Sequence, residues 1–111
     1  MMILAVKLRN AIKKEAANNN MELVFSLKNI IINGEKRGCY GFVRNVKNGS
    51  VIYVDTEEPV LSNLHYMYRY AEDEHDYRGY RNRWADTLNG LVKGICRCLT
   101  MTPEEARDIR I

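Results

Sequence analysis

The sequence predicts a single α+β domain, in which an antiparallel three- to four-stranded β-meander packs against a long C-terminal amphipathic helix, with a further helix at the N-terminus. Its 111 residues suffice for one hydrophobic core but not for two. Two Asn-Gly pairs separate β-rich segments, and apolar residues recur at helical spacing towards the C-terminal end. With 46% apolar and 28% charged residues, the composition is that of a globular protein, and no run is apolar enough to predict a membrane span.

The first 20 residues are predicted to form a basic helix followed by an asparagine linker. Asn18 to Asn20 end the helix, because short amide side chains compete with the helical backbone for hydrogen bonds. The segment carries the whole net charge of +3, so the rest of the chain is neutral and a general attraction to nucleic acid is not indicated. We expect the helix to pack weakly, or to serve a dimer or an acidic partner, and residues 1–20 to be dispensable for folding. Its apolar stripe is Leu4, Leu8, Ala11 and Ile12.

Residues 21–70 are predicted to form the β-meander. Asn33-Gly34 and Asn48-Gly49 each stand between β-rich runs, and Asn-Gly favours a hairpin because both residues accept the positive φ of a type I′ turn. In the second strand, Gly38 and Gly41 indicate a bulge or a close approach of two backbones. The strands are expected over residues 21–32, 35–46, 50–55 and 64–70.

The main helix is predicted over residues 77–99. Six apolar residues recur there at helical spacing, and we expect this stripe to cover one face of the sheet with Trp84 in the core. A short last helix is expected over residues 102–110, with Thr102 as its N-cap and Glu105 completing a capping box. The six residues of the stripe are Trp84, Leu88, Leu91, Val92, Ile95 and Leu99.

The stretch from Tyr66 to Trp84 holds five tyrosines, one tryptophan and four arginines within 19 residues. Tyrosine and arginine are typical of binding hot spots, and rings with guanidinium groups also suit single-stranded RNA. We expect a binding surface where the last strand meets the main helix, since a helix N-terminus adds N–H groups and a positive dipole end for an anionic partner. The candidate binding residues are Arg69, Tyr77, Arg78, Tyr80, Arg81 and Arg83.

Two alternatives to this surface remain open. The tyrosines of residues 66–70 can form a half-buried strand face, and the arginines can make salt bridges within the fold. A binding surface can also lie on the sheet itself, around Tyr40, Phe42 and Tyr53.

The sequence predicts no metal, cofactor or catalytic centre. His75 lies within the acidic run 72–76, but adjacent loop residues cannot all point at one ion. A metal-free RNase is the alternative function, because such an enzyme needs only an acid–base group and a phosphate clamp. Nothing in the spacing brings its candidate residues to one point. These candidates are His65, Arg69, His75, Tyr77 and Arg78.

The three cysteines are predicted to be thiols in a reducing compartment. Cys96 and Cys98 lie about 200° apart on a helix, so they do not share a ligand, and both are expected to behave as small hydrophobic residues. The apolar run before Lys7 is too short for a signal peptide, so we expect a cytoplasmic protein.

Residues 37–99 resemble small proteins of phages and bacterial mobile elements, a group that includes the anti-CRISPR proteins. The resemblance rests on chain size, on Tyr68-Arg-Tyr-Ala followed by Asp76-Tyr-Arg-Gly, and on the preceding Val51-Ile-Tyr-Val-Asp-Thr-Glu. It implies a non-enzymatic, stoichiometric inhibitor that docks on a host nucleoprotein such as an RNA-guided CRISPR nuclease. Many such inhibitors are acidic mimics of DNA, and this chain is not acidic. The expected partner is therefore a host protein or ribonucleoprotein, contacted through guide RNA or a protein face, and the chain itself is expected to be a monomer or weak homodimer.

Overall fold

The computed structural model describes residues 4–57, 66–79 and 81–105, and within them it shows an α+β fold. The strands form one antiparallel sheet in the order β1-β2-β3-β4-β5. The predicted class and the antiparallel meander are confirmed, but the sheet has five strands rather than three or four. The elements are α1 Leu4–Ala16, β1 Leu23–Ile32, β2 Glu35–Asn45, β3 Val51–Glu57, β4 Tyr66–Ala71, β5 Arg83–Ala85 and α2 Leu88–Leu99.

Both predicted hairpins are present, with different turns. Asn33 and Gly34 have φ values of 52° and 80°, the two positive values that a type I′ turn requires. The second connection is longer, because the N–H of Asn45 donates to the carbonyl of Ser50 at 2.9 Å. Within that connection only Gly49 has a positive φ.

The predicted close approach of β1 and β2 occurs at Gly41. Its φ is +142°, and a Cβ there would lie 2.0 Å from the carbonyl oxygen of Ser26, so no other residue fits. A bulge is also present near Gly38, since the pairing register shifts between Ile30 and Ile31.

Both helices pack on one face of the sheet, which we call the inner face, and together they form the main core. Leu8 and Ile12 of α1 are completely buried, so the expectation that α1 packs weakly is wrong. The physical reason is the width of the sheet: five strands at about 4.8 Å spacing are wider than the roughly 10 Å that one helix covers. The inner face therefore needs both helices.

The main helix begins at Leu88, so the prediction that it starts near residue 77 is wrong. Thr87 is its N-cap, and the Thr87 hydroxyl accepts a hydrogen bond from the N–H of Gly90 at 3.0 Å. From there the predicted stripe is confirmed, because Leu91, Ile95 and Leu99 are fully buried and Val92 nearly so.

Trp84 lies in β5, not in the helix, and its predicted place in the core is wrong. It pairs with Met67 of β4 and is 47% exposed. The four-residue spacing from Trp84 to Leu88 matches a helix by coincidence, because the chain instead adds a short strand to β4. That pairing satisfies backbone groups on an edge that would otherwise be open.

The predicted N-cap after α2 is present at Thr102. The N–H of Glu105 donates to the Thr102 hydroxyl at 3.2 Å, and that hydroxyl lies 3.1 Å from the Glu105 carboxylate. Residues 106–110 of the predicted last helix lie outside the described residues.

The opposite side of the sheet, which we call the outer face, carries a smaller apolar cluster. Phe42, Val51, Tyr53 and Ala71 form it, with Met67 packed alongside. The connection between β4 and β5, described over residues 72–79 and 81–82, contacts this face through Tyr77 and is called the β4–β5 loop below. No helix among the described residues is long and apolar enough to cross a membrane.

Candidate functional site

The β4–β5 loop is held in place by Arg69, which projects from β4 to the outer face. Its side chain is only 2% exposed and forms an ion pair with Asp76, with 3.4 Å between Nη1 and Oδ2. Nη2 also donates to the carbonyl of Asp76 at 2.6 Å, and Nη1 to that of Tyr70 at 3.2 Å. A side chain buried in this way cannot contact a partner. The assignment of Arg69 to the binding surface is therefore wrong, and its role is to position the loop.

An aromatic ring also contacts the Arg69 guanidinium. The guanidinium lies 4.6 Å from the centre of the Tyr53 ring, a cation–π distance. Tyr77 then packs edge-on against Tyr53 and Phe42, with ring centres 5.9 and 5.1 Å away. At Gly79 the chain passes so close that a Cβ would lie 2.3 Å from the Arg69 Nη1. Loop and guanidinium therefore fit each other closely.

Tyr77 closes most of the outer-face cluster but remains 47% exposed itself. Phe42 and Tyr53 beneath it are buried, so the alternative binding surface around them is largely covered. Burial raises the pKa of Tyr53 to about 12, and the neighbouring Asp55 carboxylate, 3.3 Å from the hydroxyl, acts in the same direction.

The β4–β5 loop also forms one wall of an open groove of about 780 Å³. Arg78, Arg81 and Arg83 line this groove together, and we call it the arginine groove. Its opposite wall is the segment Thr102 to Glu104 that follows α2. Three predicted binding residues are thus brought to one place, although the chain there is loop and strand rather than helix.

The arginines of the groove differ in their surroundings. Arg83 is half-buried, with its guanidinium 5.1 Å from the centre of the Tyr70 ring and a hydrogen bond to the sulfur of Cys98. Tyr70 in turn donates to the Cys98 carbonyl at 2.7 Å, and burial raises its pKa. Arg83 therefore forms part of the groove floor, whereas Arg78 and Arg81 are exposed.

Arg81 has a φ of +68°, in the left-handed region that is costly for residues other than glycine, asparagine and aspartate. Acidic side chains also reach the groove, namely Glu72, Asp76 and Glu104. The Asp76 carboxylate is engaged by Arg69 and positions the loop.

The predicted contribution of the main helix's N-terminus to this site is wrong. The α2 N-cap is Thr87, and neither it nor the first residues of α2 line the groove. The dipole and N–H groups expected from the main helix are therefore not part of the surface. Tyr80 and His65 lie outside the described residues.

Two of the residues considered for an RNase differ in their surroundings. Arg69 is buried, whereas His75 is exposed on the β4–β5 loop, where its backbone N–H donates to Asp73 Oδ1 at 2.8 Å. Among the described residues, no group of three or more His, Cys, Asp and Glu is placed to hold a metal ion.

All three cysteines are buried thiols, none of them in a disulfide. Burial raises the pKa of Cys96 to about 11, and the nearby carboxylate of Glu15 acts in the same direction. A thiol with this pKa is a poor nucleophile at neutral pH. Cys96 therefore behaves as the small core residue that the sequence predicts.

Comparison of the chain with protein-family models, curated proteins and solved structures finds no match. The geometry of the arginine groove is therefore the basis for the functional proposal below.

Proposed function

We propose that the protein is a non-enzymatic inhibitor that docks on a host nucleoprotein, and that the arginine groove takes an anionic group of that partner. The observation that carries this proposal is the placement of Arg78 and Arg81. Both are exposed, both line one groove, and both belong to a loop fixed by buried Arg69. A rigid loop lowers the entropy lost on binding, so these arginines are prepared for a partner.

Arginine suits this role because its planar guanidinium presents forked N–H donors to phosphate or carboxylate oxygens. The exposed part of Tyr77 directly precedes Arg78 and offers a ring for stacking on a base or an apolar side chain. Tyr77 lies on the outer-face cluster and not in the groove, so its ring and the groove arginines offer the two chemistries of binding hot spots on adjoining parts of one loop.

The backbone of Arg81 supports the same conclusion. A left-handed conformation costs roughly 1–2 kcal/mol for an ordinary side chain, and glycine or asparagine would relieve it. Strain of this kind concentrates at functional sites, where the side chain is needed for a purpose other than folding.

The carboxylates of the groove favour a specific docking partner over an unstructured polyanion. Glu72 and Glu104 line the groove with the arginines and oppose non-specific accumulation of phosphate. A partner with one or two well-placed anionic groups is repelled less by these carboxylates than a polyanion is. A folded nucleoprotein meets this requirement better than RNA alone.

The test is affinity capture from a bacterial lysate, with and without RNase treatment. The wild-type protein should retain a nucleoprotein after nuclease treatment, and Arg78→Glu with Arg81→Glu should lose it. The matched control is Lys14→Glu with Lys93→Glu, which changes the net charge equally at exposed helical positions outside the groove. Loss of all capture on nuclease treatment would favour an RNA-binding module instead.

The proposal also requires that the protein has no turnover of its own. Expression in bacteria without an antitoxin should leave growth unchanged, and purified protein should leave RNA intact. Growth arrest that is abolished by His75→Ala would favour the RNase function over the inhibitor function.

A further inference from the structure

β1 forms an open edge of the sheet. It pairs with β2 on one side and, among the described residues, with no strand on the other. It is ten residues long, whereas β5 at the opposite edge has three. Proteins commonly protect a long edge with proline, bulges or several charges. β1 has no proline and one charged residue, Lys28, and its register shift at Ile30/Ile31 lies beyond residues 23–29. Val24 and Ile31 are 48% and 62% exposed on it.

The backbone groups available at this edge follow from the pairing with β2. The N–H of Val46 donates to the carbonyl of Glu22 at 2.8 Å, which makes these two residues a hydrogen-bonded pair. Hydrogen-bonded and non-hydrogen-bonded pairs alternate in an antiparallel ladder. Even-numbered residues of β1 therefore bond to β2, and the N–H and C=O groups of the odd-numbered residues point away from it. These residues are Leu23, Phe25, Leu27 and Asn29.

Basic side chains flank the open edge on both sides. On the inner side, Arg9 and Lys13 of α1 reach over the Phe25 ring, at 5.8 and 5.9 Å from its centre. On the outer side, Lys28 is exposed. The acidic residue of α1, Glu15, lies on another flank of the helix, near Cys96 of α2. Glu22 directly precedes β1 and is exposed, so one carboxylate lies at the start of the edge. The three basic residues outnumber it, and the edge therefore combines backbone groups that no described strand uses with net positive charge.

We propose that this open edge binds an acidic, extended peptide segment of another protein as a sixth strand. Main-chain hydrogen bonds to the odd-numbered residues would hold the segment, and its carboxylates would lie beside Arg9, Lys13 and Lys28. β1 is four strands away from β5 in the sheet and contributes nothing to the arginine groove. The two surfaces are thus independent, and this one does not depend on the proposed function.

The charge of the edge also favours an acidic partner over a second copy of the chain. An antiparallel dimer through β1 would bring two copies of this net positive edge together, with Arg9, Lys13 and Lys28 of both chains on one surface. Like charges across a strand pair are destabilising, whereas an acidic strand is attracted by all three.

The test uses two fluorescein-labelled decapeptides, one alternating glutamate with valine and one alternating lysine with valine. Fluorescence anisotropy should show binding of the glutamate peptide and binding at least about tenfold weaker for the lysine peptide. Arg9→Glu with Lys13→Glu should also lower the affinity for the glutamate peptide by about tenfold. The control variant Lys14→Glu with Lys93→Glu should bind it nearly as wild type does.

Amide hydrogen exchange of the wild-type protein gives a second readout that needs no variant. With the glutamate peptide, the N–H groups of Phe25 and Leu27 should become protected. Those of Ser26 and Lys28, which bond to β2, should be protected with or without peptide. Equal binding of both peptides, or unchanged exchange at Phe25 and Leu27, would overturn the proposal. So would sedimentation of a dimer in which these amides are already protected, because a second copy would then occupy the edge.

Discussion

Replacing Arg69 with methionine removes the contacts that hold the β4–β5 loop on the outer face of the sheet. Methionine retains much of the side-chain volume, so the main loss is the ion pair with Asp76 and the hydrogen bonds to two carbonyl groups. Breaking a buried pair by removing one partner costs about 3–5 kcal/mol. The Asp76 side chain is 22% exposed and can be partly hydrated, so we expect the lower end, about 3 kcal/mol.

In a domain of this size, that loss should lower Tm by about 12 °C, at roughly 4 °C for each kcal/mol. The assay is thermal unfolding followed by circular dichroism, with urea unfolding for the free energy. A change below about 1 kcal/mol would refute the reasoning, since it would mean that Arg69 does not anchor the loop.

Gly79→Ala provides the matched control for this prediction. In the wild-type background the new Cβ would meet the Arg69 guanidinium at 2.3 Å, so the substitution should destabilise the protein. In the Arg69→Met background the obstructing group is absent, and the same substitution should cost clearly less. Additive effects of the two changes would contradict the close packing of residue 79 on the guanidinium.

Three further predictions follow from burial and ionisation. Trp84→Ala should cost less than about 2 kcal/mol in urea unfolding, well under the roughly 3–5 kcal/mol of a buried aromatic residue, because Trp84 is 47% exposed. Deleting residues 1–20 should abolish cooperative unfolding by circular dichroism, because Leu8 and Ile12 are core residues; a cooperative transition would contradict this. The fold favours the neutral phenol of Tyr53 and raises its pKa from 10.0 to about 12. The stabilisation of the folded state that comes from this shift is therefore complete below pH 10 and is lost as the pH rises towards 12. Between these pH values the free energy of unfolding should fall less in Tyr53→Phe than in the wild-type protein. An equal fall in both proteins would contradict this prediction.

The sequence predicts the fold best where the signal is local. The Asn33-Gly34 turn fixes a hairpin through its own backbone preferences, and the alternation in β4 correctly separates Tyr66 and Tyr68 from Arg69. β5 could not be predicted in the same way. It has three residues, and its structure depends on pairing with a strand that lies more than ten residues earlier. The helical spacing from Trp84 to Leu88 predicts a helix at Trp84 only by coincidence.

The arginines of the groove are predictable from the sequence as a group but not in their separate roles. Composition and proximity identify Arg78, Arg81 and Arg83, and the structure gathers them in one groove. Charge alone suggests exposure, so the sequence gives no sign that Arg69 is buried. The opposite wall around Pro103 comes from a distant part of the chain. No local pattern could have placed it there.

The most direct test of the central claim is a titration of the arginine groove against its captured partner. The nucleoprotein retained from lysate is purified and titrated over immobilised wild-type protein, Arg78→Glu with Arg81→Glu, and the control Lys14→Glu with Lys93→Glu. The groove variant should bind at least about a hundredfold more weakly, since two charge-assisted contacts are reversed. Its Tm should stay within a few degrees of wild type, because both side chains are exposed. Binding of the groove variant at full strength would contradict the account and move the site elsewhere on the protein.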